Sequence, residues 1–120
     1  MRPMKIGEKL FLIGELIRGA RASRFRLLSE EFLWNELLKG AYEGRKRELV
    51  MSYVLAESAR NARGSGPRGE RCQRLLRMLL ERFGGELPLT KLSVSQRADL
   101  QNWPDLIQFP IVKQRLDGFP

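Results

Sequence analysis

The chain contains no histidine and a single cysteine, Cys72. Each scarcity removes a class of chemistry. Without histidine there is no Ser-His or Cys-His arrangement to activate a nucleophile. With one thiol no internal disulfide can form, and a tetrahedral zinc site, which needs four donors mostly from Cys and His, cannot be assembled. A lone thiol fits a reducing, cytoplasmic setting. Long apolar runs are also missing: none approaches the roughly 18–20 residues that cross a bilayer. The basic start "MRPMKIGEKLFLIGELIRGARA" does not read as a secretory leader. Its apolar run, Leu10 to Ile13, is flanked by Glu8, Glu15 and Arg18 and falls short of the roughly 7–15 residues that such a leader needs.

What is present is an ordinary globular balance with an unusual charge. Apolar residues make up 42% and charged residues 30% of the 120 positions, which suits one folded domain over 1–120 with a real core. The net charge is +8 and the pI about 10.4. A basic excess of this size raises the prior for a polyanionic partner, while saying nothing of the fold.

The excess is local. Residues 1–44 hold eight Lys/Arg against six Asp/Glu, residues 45–82 ten against four, and residues 83–120 four against four. The middle third is thus +6 and mostly arginine. Arginine's planar fork matches phosphate and carboxylate.

Hydrophobic spacing predicts an all-α fold, a compact bundle of five to six helices. The first helix covers about Lys5 to Ala22, with Ile6, Leu10, Ile13 and Ile17 at helical spacing; "KLFLI" alone would also suit a short strand. A basic connector follows, with Arg18, Arg21, Arg24 and Arg26. Ser29 then caps a second helix that carries Trp34, Leu37, Leu38 and Tyr42 to Gly44. The third segment, "RKRELVMSYVLAESARNAR", places Leu49, Tyr53 and Ala56 on one face, with Val50, Met51, Val54 and Leu55 around them. A helix apolar all round belongs at the centre of a bundle or in an oligomer interface. "LVMSYVLA" could pair as a strand, but the pattern continues through Ala59 and Ala62 to Gly64, which favours helix.

"GSGPRG" is the clearest break. The fourth helix, Glu70 to Phe83, has one stripe of Cys72, Leu75, Leu76, Leu79, Leu80 and Phe83, so Cys72 is expected to be core packing rather than a reactive thiol. Gly84-Gly85 ends it. Ser93 and Gln96 form a capping box for a fifth helix that Pro104 stops. A last short helix opens with Pro110, buries Ile111 and Leu116, and stops at Gly118. Trp34, Tyr42, Phe83 and Trp103 all occupy expected core positions. The neutral C-terminal third has a connector too long for a DNA-reading helix-turn-helix and is expected to close the core.

The motifs do not point to catalysis. "GSGPRGERC" has the glycine spacing of a phosphate-binding loop, yet Glu70-Arg71 stands where Lys and Ser/Thr are required. Pro104-Asp105 has no Asp/Glu-x-Lys after it to complete a carboxylate metal site. The chain is therefore expected not to be an enzyme, and to need no metal or cofactor.

The arginines are the remaining signal. On the fourth helix, Glu70 can pair with Arg74 and Arg77 with Glu81 at i, i+4, whereas Arg71 and Arg82 have no such partner within the expected helix. Arg45, Lys46 and Arg47 open the third helix at the positive end of its dipole, where acids are favoured. If the third and fourth helices form an antiparallel hairpin, Arg60, Arg63, Arg68 and Arg71 gather at one end. Arg82 then returns toward Arg45, Lys46 and Arg47 at the other, with Arg74 between. The expected function is non-catalytic binding of an RNA or DNA backbone by these residues, in a small subunit or accessory of a bacterial or phage nucleoprotein complex. The competing expectation is a protein-directed inhibitor or adaptor that docks on an acidic partner, with the third helix available for homo-oligomer contact.

Overall fold

Helix α1 runs Arg45–Asn61 and α2 runs Gly66–Phe83. A 3-10 turn at Leu89–Lys91 leads to α3, Val94–Gln101, and a second 3-10 turn at Pro104–Gln108 leads to α4, Pro110–Asp117. This computed structural model describes residues 45–120, with side chains from Arg47 onward. All regular structure among the described residues is helical, including "LVMSYVLA". The helices expected over Lys5–Ala22 and from Ser29 to Gly44, and the arginine connector between them, lie outside the described residues. Among the described residues no helix is long and apolar enough to cross a membrane.

Helix α1 is apolar on most of its circumference because it is central. It packs against α2, α3 and the first 3-10 turn, and Val50, Met51, Val54, Leu55, Ala56, Ala59 and Ala62 are buried. One residue of the expected face departs from this: Leu49 stays 48% exposed. Helix α2 lays the predicted stripe onto α1, and Cys72, Leu75, Leu76, Leu79, Leu80 and Phe83 are all buried. Fully burying a leucine contributes roughly 1.5–3 kcal/mol, so the four leucines anchor this pairing.

Helix α2 begins four residues before the expected Glu70. Pro67 lies in its first turn, where a missing N–H costs nothing and the fixed φ suits a helix. Gly66, at φ +85°, supplies the left-handed residue that redirects the chain into it. Gly69 is buried against the turn, and a Cβ there would stand 1.8 Å from the Gly64 carbonyl oxygen. Only glycine lets the two backbones approach so closely.

The C-terminal third closes the core. Leu100, Trp103, Leu106, Val112 and Leu116 are buried in it, and Trp103 stacks on Phe109 with centroids 5.9 Å apart. The capping box is complete: the Ser93 hydroxyl accepts from the Gln96 N–H, and Gln96 Oε1 accepts from the Ser93 N–H. In α4 the expected core residue Ile111 is instead 62% exposed and its neighbour Val112 is buried. With Leu116, Val112 completes the i, i+4 pair that meets the core.

Candidate nucleic-acid interface

Helices α1 and α2 form the antiparallel hairpin that the basic ridge requires. At the open end, the Arg47 guanidinium lies over the Phe83 ring, 5.5 Å from its centroid. At the turn end, Gln73 Nε2 donates to the Ala62 carbonyl at 3.1 Å. The start of α1 therefore meets the end of α2, and the reverse.

Two arginines converge at the turn. Arg60 and Arg68 line one open hollow of about 430 Å³, together with Asn61, Gly64, Ser65, Pro67 and Gly69. The Arg60 side chain is 72% exposed, with Glu57 Oε1 4.0 Å away. At that distance and exposure the pair is worth little, and the Arg60 charge remains available to an anion. Arg68 is exposed and makes no ion pair among the described residues. Gly64 and Gly69, without side chains, contribute only backbone to the lining of the hollow.

The remaining residues of the expected ridge are placed less uniformly. Arg63 is beside the turn, but its guanidinium is ion-paired with Asp99 of α3. The turn cluster is thus less positive than the local sequence suggests, because α3 brings a carboxylate to it. Arg71 is half-buried one turn into α2, Arg74 is exposed, and Arg82 is exposed at the last turn. At 100° per residue, Arg68, Arg71 and Arg82 fall within about 60° of arc on α2. Arg45 and Lys46 lie on the first turn of α1, and their side chains are outside the described residues. Arg77, expected to pair with Glu81, is joined to Asp105 of the second 3-10 turn.

The arginines of the C-terminal third have internal work. Arg115 Nη1 donates to the Gly84 carbonyl at 2.8 Å and Nη2 to the Leu87 carbonyl at 2.7 Å. Gly84 keeps a right-handed conformation, φ −49°, so the end of α2 is satisfied by this fork rather than by a left-handed glycine. Arg97 donates to the Leu92 carbonyl at 2.7 Å and lies 4.3 Å over the Phe119 ring. The Arg115 fork is not readable from local spacing, since its partners are 31 and 28 residues away.

Cys72 is fully buried, as expected for packing. Burial pushes its thiol up to about 11, against the opposing pull of the Arg71 and Arg68 charges. The thiol is therefore protonated at neutral pH and a poor nucleophile.

No protein-family model matches the chain, and neither a curated protein nor a solved structure matches it.

Proposed function

We propose that the chain is a non-catalytic basic helical protein, a compact bundle of five to six helices, that holds a nucleic-acid backbone at the α1–α2 turn and along α2. It would serve as a small cytoplasmic subunit or accessory of a nucleoprotein assembly. The observation that supports this most is the convergence of Arg60 and Arg68 on one open hollow. Arg97 and Arg115, by contrast, are engaged within the fold. Among the described residues every exposed arginine thus lies on the hairpin, where planar guanidinium groups suit phosphate oxygens. Contacts of this kind are indifferent to sequence and strongly salt-dependent.

The test is fluorescence anisotropy with a generic labelled oligonucleotide at about 50 and about 200 mM salt. Affinity should fall steeply between the two. In the Arg60→Ala/Arg68→Ala double variant it should be weaker, with a salt slope shallower by about two for a duplex probe. No binding at the lower salt would remove the reading.

A second reading has its own support. Ile107 is 74% and Ile111 62% exposed, and Ile111 borders a hollow of about 310 Å³ shared with Leu80, Phe109 and Val112. Apolar exposure of this sort suits an adaptor that docks on another protein. Partners that stay bound after nuclease treatment would favour it over the first reading.

A further inference from the structure

We infer, resting on the nucleic-acid reading above, that the form bound is a duplex rather than a single strand. The hairpin offers positive charge at two levels of one rigid unit. Arg60 and Arg68 stand at the turn, and Arg82 and Arg47 at the other end. Arg68 and Arg82 are fourteen positions apart in α2, which at 1.5 Å per residue is about 21 Å, with an angular offset of about 40°. Both therefore fall on one flank of the helix, a fixed distance apart.

That distance is held by packing. Val50, Val54 and Leu55 of α1 are buried with Cys72, Leu76 and Leu79 of α2 in one core. The Gln73 hydrogen bond and the Arg47–Phe83 contact secure the two ends. A rigid two-level array gains most from a partner whose phosphates are also fixed. About 21 Å of duplex axis spans roughly six base pairs, and since each strand turns through more than half a circle over that length, the two levels face phosphates of opposite strands, whose separation only a duplex fixes. A flexible single strand has to be ordered to meet both levels, and that ordering subtracts from affinity.

The described aromatic rings point the same way. Single-strand binders use aromatic faces as platforms for bases. Here Trp103 stacks on Phe109, Phe83 lies under Arg47, and Phe119 lies under Arg97. Tyr53 also packs against the core, so among the described residues the rings are engaged in packing and the exposed arginines are left to meet a backbone.

The experiment uses the full chain and anisotropy at about 50 mM salt. Labelled duplex DNA and duplex RNA are each compared with a single strand of equal length, and DNA hairpins with stems of about four, eight and twelve base pairs are added. At least one duplex should bind about tenfold more tightly than its single strand. Affinity should rise from the four- to the eight-base-pair stem and then level off. Arg82→Ala should weaken binding to the longest stem and leave the shortest nearly unchanged, and Arg82→Gln should reproduce this if the alanine variant alters the circular dichroism. Single strands that bind as tightly as duplexes in both arms, or affinity independent of stem length, would overturn the inference while the nucleic-acid reading stands. Absence of binding to every probe would overturn both.

Discussion

Replacing Arg115 tests whether the basic residues of this chain divide into structural and surface groups. Its two guanidinium nitrogens donate to the Gly84 and Leu87 carbonyls at 2.8 and 2.7 Å, and the side chain is half-buried. Hydrogen bonds from a charged donor are each worth about 1.5–3 kcal/mol. Arg115→Ala removes both, but water can reach part of the opened site, so the lower half of the sum is expected: a loss of about 3–4.5 kcal/mol. Against a typical total of about 5–15 kcal/mol this is a large share. Arg115→Lys keeps the charge and loses the fork, so it should recover only about half. Arg68→Ala, at an exposed position, should stay within about 0.5 kcal/mol. Urea unfolding followed by circular dichroism gives these differences from the midpoint shift at constant m. The ordering should invert in oligonucleotide binding, where Arg68→Ala is weakened and Arg115→Ala, while folded, is not. A loss under about 0.5 kcal/mol for Arg115→Ala, or a lysine variant equal to wild type, would refute the reasoning.

Two further perturbations address the core. Ser58 is fully buried and its hydroxyl has no hydrogen-bond partner among the described residues, so Ser58→Ala should stabilise by about 1–2 kcal/mol in the same urea assay; destabilisation by that much would mean the hydroxyl is satisfied. Burial pushes the Cys72 thiol up to about 11 in the fold, from an ordinary value of 9.0. The raised folded value means its contribution is fully present below the unfolded value. It is lost as pH rises from about 9 to 11, at up to 1.36 kcal/mol per pH unit. Relative to Cys72→Ala, wild type should therefore lose stability over that window, and parallel pH profiles would contradict the assignment.

The α2 stripe was legible because its period and its burial coincide: every apolar residue from Cys72 to Phe83 on that arc is buried. The Ser93–Gln96 box and the helix opened by Pro110 were legible because caps and prolines act locally. Element edges were harder to read. Glycine and proline in "GSGPRG" signal a break, yet the same Pro67 is well placed in a first helical turn, and α2 absorbs most of the motif. In α4, Ile111 and Val112 are equally apolar, and only the docking angle onto the core decides which is buried. The candidate site was legible as a charge excess but not as a geometry. Arg63 meets Asp99 and Arg77 meets Asp105 through tertiary contact, which no i, i+4 rule can anticipate. For the same reason the Arg115 fork and the Arg97–Phe119 contact leave no trace in neighbouring residues.

The depth of Cys72 has a practical meaning. It is the one sulfhydryl in 120 residues, and it lies on α2 in the core shared with α1, with no exposed surface. A maleimide or disulfide reagent can reach it only when those helices part. The unmodified chain thus carries its own gauge of hairpin opening: labelling speed, followed against reagent concentration, reports how often the pair separates and how much a bound polyanion slows that separation.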